Sequence, residues 1–143
     1  MDARTRRRTA ENQPKTSAAR LPELFADWFA SRGWRPRAHQ LDLLETVERG
    51  ADVLLIAPTG GGKTLAGFLP SLIDLADRPL TSQASGVHTL YVSPLKALAT
   101  DIARNLAAPI AEMGLSIRTE TRTGDTPQAR RVRQRVLPPD ILL

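Results

Sequence analysis

Cysteine is absent from the 143 residues, which excludes disulfides, thiolate metal centres and a cysteine nucleophile. Histidine occurs twice, too rarely for a metal cluster built from histidine alone. Aromatics make up 4%, which argues against base recognition by a broad stacking platform. No apolar run approaches the roughly 18 residues that a membrane span needs. The N-terminus has no apolar core of a secretory signal. The sequence therefore predicts a chain that neither spans a membrane nor leaves by that route. What is present is globular: 41% hydrophobic, 24% charged, 9 Gly and 11 Pro. This is about one domain's worth of chain, able to bury roughly two thirds of its unfolded surface without staples.

The net charge is +5, and it is unevenly spread. Residues 1–20 hold six basic groups against Asp2 and Glu11. Residues 118–135 hold six arginines against Glu120 and Asp125, and the stretch between is slightly acidic. Two basic patches suit a polyanionic partner, although a solvated tail and helix face would look the same. Residues 1–20 lack apolar periodicity and read as a disordered basic arm. An Arg-rich start can also be a transit peptide, but this one has almost no apolar face.

From residue 21 the pattern becomes ordered. Leu21, Leu24, Phe25, Trp28 and Phe29 recur at helical spacing between Pro22 and Gly33. Pro36 opens a second helix, striped by Ala38, Leu41, Leu44 and Val47 and ended by Gly50. The apolar run Val53–Ala57 suits a strand buried on both faces of a parallel sheet. A helix from about Lys63 to Ala76 follows, with Pro70 expected to kink it. Residues 77–86 read as a loop, and His88–Ser93 as a strand. Leu95, Leu98, Ile102 and Leu106 mark a further helix, interrupted at Pro109 and ended near Gly114. Leu115–Arg122 reads as a strand. Thr126 can cap a helix whose first residue is Pro127. Asp140–Leu143 has the look of another buried strand beginning. Strands alternating with helices indicate an α/β domain built on a parallel sheet.

The most specific chemistry lies at Ala57-Pro58-Thr59-Gly60-Gly61-Gly62-Lys63-Thr64, between an expected strand and an expected helix. Glycines let backbone N–H groups turn inward with no Cβ in the way. A helix start adds unpaired N–H donors and the positive end of a dipole. Lys63 can then reach the outer phosphates of a nucleotide, and the Thr64 hydroxyl can ligate the bridging Mg²⁺. A Gly-rich turn followed by Lys and Thr arises by chance in a chain this size on the order of 1% of the time or less, given Gly usage of about 7%. The generic pattern G-x-x-x-x-G-K-[ST] wants glycine at 57, where this chain has alanine.

The form A-x-x-G-x-G-K-T resembles motif I of superfamily 2 helicases. Gly33-Trp34-Arg35-Pro36-Arg37-Ala38-His39-Gln40 is similar to their Q motif, which implies that Gln40 reads the adenine edge; His39 reads as structural. Ser93-Pro94-Leu95-Lys96-Ala97-Leu98-Ala99 resembles motif Ia. Thr123-Gly124-Asp125 resembles motif Ib of the Ski2-like and Lhr-like branch. Taken together, residues 21–143 resemble the N-terminal part of the Lhr-like, ligase-associated DEXH-box helicases of bacteria. The resemblance implies a RecA-like P-loop NTPase fold, a parallel sheet with flanking helices. It implies ATP with Mg²⁺ as cofactors, held by Gln40, Thr59, Gly60, Gly61, Gly62, Lys63 and Thr64. Pro94, Leu95, Lys96, Thr123, Gly124 and Asp125 would grip a nucleic-acid backbone, single-stranded DNA first. An ATP-driven helicase or translocase of DNA repair is implied, cytoplasmic and nucleoid-associated, with a DNA ligase or nuclease as a possible companion.

Such a motor needs a carboxylate pair to hold Mg²⁺ and orient water. The family's D-E-x-H run does not occur here, nor does a second motor domain. The expectation is an incomplete first motor domain that binds nucleotide weakly, does not hydrolyse it, and is marginally stable or prone to aggregate. A non-catalytic nucleic-acid-binding module with a vestigial phosphate loop is the alternative. A small P-loop kinase or other NTPase is a third reading, disfavoured by Ala57.

Overall fold

The computed structural model describes residues 21–79 and 86–143. The expected basic arm, and most of the expected 77–86 loop, lie outside the described residues. Five helices and three short strands occur among the described residues. In chain order they are α1 (Glu23–Ser31), α2 (Ala38–Glu48), α3 (Lys63–Ala76), β1 (Thr89–Leu90), α4 (Lys96–Glu112), β2 (Thr119–Glu120), α5 (Gln128–Val136) and β3 (Ile141–Leu142).

The apolar residues explain why these helices pack where they do. Phe68, Leu69, Leu72 and Leu75 recur at three- and four-residue spacing, so they form one stripe along α3. That stripe is buried against Phe25, Trp28 and Phe29 of α1, Ala99, Ile102 and Leu106 of α4, and Ile141 of β3. Each large side chain removed from water here contributes about 1.5–3 kcal/mol. α2 packs on α3 and buries Leu43 and Leu44.

The sheet is parallel, in the order β1-β3-β2. β3 enters last and lies between the other two, pairing Ile141 with both Thr89 and Thr119. Tyr91 N–H donates to the Leu142 carbonyl at 2.9 Å, and Arg122 N–H donates to the Leu143 carbonyl at 2.7 Å. Ile141 is completely buried. The strands are shorter than expected from the apolar runs at 88–93 and 115–122. A ladder lasts only as long as its partner, and β3 offers few residues to either neighbour.

Three local expectations are corrected. Residues 53–57 are extended but unpaired among the described residues. Leu54 and Ile56 are each 85% exposed, while Leu55 and Ala57 on the other face are half-buried. A continuous apolar run specifies a strand buried on both faces only where strands lie on either side, and β1 and β2 are instead joined to β3. The helix expected to break at Pro109 runs through it to Glu112. Pro109 is buried, so packing offsets the lost backbone hydrogen bond, and its carbonyl still accepts from Met113 N–H at 3.1 Å. Thr126 does not cap α5. Its hydroxyl accepts from Thr123 N–H at 2.8 Å, and Pro127 is the N-cap. Pro70 lies inside α3, which continues to Ala76.

A polar cluster ties α1 to α4. Trp28 Nε1–H donates to Glu112 at 2.7 Å and Arg32 Nε–H donates at 2.9 Å, with a second Arg32–Glu112 contact making the pair bidentate. The Arg32 guanidinium also lies 5.1 Å from the Trp34 ring centre and 5.7 Å from that of Trp28. Hydrogen bonds from Arg32 and then Trp28 hold the Glu112 carboxyl below the usual carboxylate range.

Two outcomes follow. Glu112→Gln should be less stable than the parent at neutral pH in thermal melts. Because the folded-state value is depressed, this stabilisation is complete above the unfolded value near 4.5 and is lost as pH falls through the folded value. The gap between the two melting curves should therefore narrow as pH falls below about 4.5; a gap independent of pH would refute the assignment. The exposed, unpaired 53–56 segment should drive self-association at micromolar concentration. Sedimentation should detect it, and Leu54→Ser with Ile56→Ser should reduce it; a monomeric parent with a sharp, reversible melt would contradict this.

Candidate nucleotide and nucleic-acid site

The phosphate loop closes on itself through its glycines. Gly61 N–H donates to the Pro58 carbonyl at 3.0 Å, and a Cβ on Gly61 would sit 2.8 Å from that same oxygen. Gly62 is the N-cap of α3 with φ +73°, in the left-handed region. A Cβ there would lie 2.9 Å from Gln40 Nε2. Both positions therefore require glycine, one for space and the other for backbone angle as well.

Lys63 and Thr64 begin α3, so their N–H groups stand at the positive end of a 14-residue helix. Lys63 Nζ donates to the carbonyls of Ala57 and Pro58, each at 2.7 Å. It spans the mouth of the loop and keeps one of its three N–H donors to spare. Thr64 is half-buried. Thr59 is exposed.

Gln40 is 3% exposed and joins two elements. It is the third residue of α2, and its Oε1 accepts the N–H of the N-cap residue Arg37 at 2.8 Å, half of a capping box. Its Nε2–H donates to the Gly62 carbonyl at 3.3 Å. The carboxamide that the Q-motif resemblance assigns to adenine thus already clamps the phosphate loop to α2. One N–H and one lone pair are left over. His39, read as structural, is half-buried with Nε2 unpartnered.

A cleft of about 740 Å³ opens beside the loop. Gly60, Gly62 and Thr64 line one side, and Trp34, Arg37 and Arg104 stand among the other walls. The residues fit a nucleotide: glycines that a Cβ would obstruct, a helix start, a lysine and a cationic cleft of sufficient size. For Mg²⁺ the set is thinner. Among the described residues no group of three or more His, Asp or Glu could hold a metal ion, and Thr64 supplies one hydroxyl. Asp74 lies near the far end of α3, 3.6 Å from His88 Nε2.

The second constellation forms at the carboxyl edge of the sheet, where ligands of open α/β sheets bind. β1 runs into Ser93–Lys96 and β2 into Arg122–Asp125. Because both strands flank β3 in parallel, both loops emerge at one edge. Lys96 Nζ donates to Asp125 at 2.6 Å across 29 residues of sequence. The two loops line a cleft of about 410 Å³ that includes Pro94, Leu95, Lys96, Thr123 and Gly124. Of the residues expected on a nucleic-acid backbone, Asp125 has its carboxylate committed to Lys96.

Arginine side chains that the sequence left open between a polyanion-binding patch and a solvated helix face, together with Gln134, hold this edge together. Arg131 reaches back to three carbonyls of the 123–126 turn. Glu120 accepts from Gln134 Nε2–H and Arg133 at 2.8 Å each and from Arg130 at 3.4 Å. Burial pushes the Glu120 carboxyl up, but hydrogen bonds from Gln134, Arg133 and Arg130 outweigh it and hold it below the usual range. The only signal in the sequence was a run of arginines, which does not say which of them folds back.

With this geometry in hand, comparison with known proteins identifies the class. Residues 37–143 match the DEAD/DEAH box helicase family model, and the chain belongs to that family. It is 41% identical over 134 residues to the Lhr helicase of Mycolicibacterium smegmatis and 37% identical over 142 residues to the Lhr helicase/uracil glycosylase of Escherichia coli. These alignments cover 87% and 86% of the chain, which spans only 9% of the length of either relative. The structure of the M. smegmatis helicase Lhr bound to ssDNA and AMP-PNP superposes with a TM-score of 0.76 at 39% identity, over 87% of this chain and 17% of that one. The α/β architecture with a small parallel sheet is that of its helicase-domain neighbours.

Gly62→Ala should destabilise the fold by about 1–2 kcal/mol, the cost of a left-handed backbone for a residue with a Cβ. It should also displace the Gln40 amide. Denaturant midpoints check the first effect, and loss of AMP-PNP binding in calorimetry checks the second. A variant with unchanged midpoint and affinity would show that neither constraint operates.

Proposed function

We propose that this chain forms the nucleotide-gripping and strand-gripping part of an ATP-driven DNA helicase or translocase that serves repair. The observation that carries the reading is the glycine cradle at the head of α3, with Lys63 across its mouth. Bound ATP with Mg²⁺ would supply the free energy of phosphoryl transfer. The chain's own residues would hold it. The backbone N–H groups of Gly60, Gly62, Lys63 and Thr64 would receive the phosphates, while the Gly61 N–H closes the loop on the Pro58 carbonyl; Lys63 would exchange its two carbonyl partners for phosphate oxygens, and Thr64 would offer its hydroxyl to the metal. Gln40 keeps the loop in register with α2 and presents its remaining N–H and lone pair to the base.

Single-stranded DNA is the favoured strand, because a structural neighbour that superposes over most of the chain holds ssDNA. Lys96 and the Thr123–Gly124 turn would meet its phosphates at the sheet edge. Such contacts are largely blind to base sequence.

Lys63→Ala should weaken AMP-PNP binding by about 1.5–3 kcal/mol, the worth of hydrogen bonds to a charged group, roughly tenfold to a hundredfold in Kd. The parent chain's affinity for a single-stranded oligonucleotide should be retained within about twofold, because Lys63 lies outside the sheet-edge cleft. Calorimetry and fluorescence anisotropy measure the two. Unchanged AMP-PNP affinity would overturn the role given to Lys63, and a parent chain that binds no nucleotide at millimolar AMP-PNP would overturn the proposal.

A further inference from the structure

The 123–126 turn carries a polarity that its own sequence does not explain. A peptide turn offers both carbonyls and amides, and carbonyl oxygens repel a phosphate. Here one guanidinium collects the carbonyls. Arg131, half-buried on α5, donates from Nε to the Thr126 carbonyl at 2.8 Å. From Nη2 it donates to the Thr123 and Gly124 carbonyls at 3.0 and 2.8 Å.

The amides are distributed differently. Thr123 N–H goes to the Thr126 hydroxyl at 2.8 Å, Asp125 N–H to the Thr123 hydroxyl at 3.3 Å, and Thr126 N–H to the Thr123 carbonyl at 3.1 Å. Gly124 N–H has no acceptor among the described residues, and Gly124 lines the sheet-edge cleft. Lys96 Nζ would lie 3.8 Å from a Cβ at Gly124, and the same ammonium is held by Asp125 of the same turn. The turn, Lys96 and α5 are thus one hydrogen-bonded unit.

We propose that Arg131 is a positioning residue of the nucleic-acid grip. It holds three carbonyls on the α5 side, so that the cleft side of the turn presents the Gly124 amide and the Lys96 ammonium to a backbone phosphate. Arg131 itself does not meet the strand, since three of its five N–H donors are committed to the turn. The geometry also depends on a fork. Nε and Nη2 of one planar guanidinium divide three carbonyls between them, Thr126 on Nε and Thr123 with Gly124 on Nη2, a fixed spread of donors that the compact ammonium of lysine does not hold. The inference rests on the strand-gripping role proposed for these loops.

The test uses the full chain and a fluorescent single-stranded oligothymidylate. Arg131→Ala should bind it roughly tenfold more weakly, with AMP-PNP affinity unchanged within about twofold. Amide hydrogen exchange at residues 123–126 should accelerate without DNA present. Arg131→Lys should be nearly as weak as Arg131→Ala, because it restores charge but not the fork. Adding Arg131→Ala to Lys96→Ala should cost less affinity than Arg131→Ala costs in the parent, since Arg131 acts in part through the placement of Lys96.

Several results would overturn the inference. They are unchanged oligonucleotide affinity or exchange in Arg131→Ala, full rescue by lysine, or loss of AMP-PNP binding alongside DNA binding. Strictly additive losses with a shallower salt dependence would make Arg131 a direct phosphate contact instead, and would overturn it too. A parent chain that binds no oligonucleotide would bring down the strand-gripping role itself, which is a different failure from a binding parent with an indifferent Arg131 variant.

Discussion

β3 slides between β1 and β2, and the placement of the two sheet-edge loops depends on that insertion. A parallel strand must hydrogen-bond on both sides to be buried on both faces. Ile141 does so, fully enclosed between Thr89 and Thr119. The pairing brings β1 and β2 into line with their carboxyl ends together. The loops after them, 29 residues apart at Lys96 and Asp125, then close to within an ion-pair distance. Neither loop could find the other without a third strand to set their spacing.

Electrostatics at that edge is arranged by internal partners more than by net charge. Among the six arginines of residues 118–135, Arg131 is turned inward onto carbonyls and Arg130 and Arg133 onto Glu120. Arg118 donates to the Pro138 carbonyl at 2.7 Å. A basic run that reads as a polyanion-binding face is therefore in large part scaffolding. Glu120 can stay charged while partly buried because three donors converge on it, which offsets the cost of withdrawing a carboxylate from water.

The nucleotide side obeys a different constraint, that of space. Gly61 and Gly62 are hemmed by the Pro58 carbonyl and by Gln40, so the loop has one tight shape before any phosphate arrives. Gln40 sits in the middle of this, fixing the start of α2 with one end and the Gly62 carbonyl with the other. Preorganisation of this kind lowers the entropic cost of binding. It also couples the start of α2 to the Gly-rich loop through a single side chain, the one proposed to meet the base.

Much of the architecture was legible in the residues: α1, α2 and α4 from their apolar spacing, α3 from its place after the Gly-rich loop, α5 from Pro127 at its start, the alternation that makes an α/β domain, and the Gly-rich loop from its glycines and Lys-Thr. These are local properties, set by period, by Cβ sterics and by the chemistry of the side chain itself. Other features depended on partners. Val53–Ala57 has the composition of a doubly buried strand, yet pairing is a property of two segments, and Leu54 and Ile56 stand exposed. Pro109 should break a helix, and burial carries α4 through it. Thr126 should cap a helix, and a turn closer at hand takes its hydroxyl. Which arginine folds back onto Thr123 and Gly124, and which lysine Asp125 holds, follow from the order of strands in the sheet. That order is a long-range outcome of packing, because a hydrogen bond between residues tens of positions apart exists only once the elements carrying them have met.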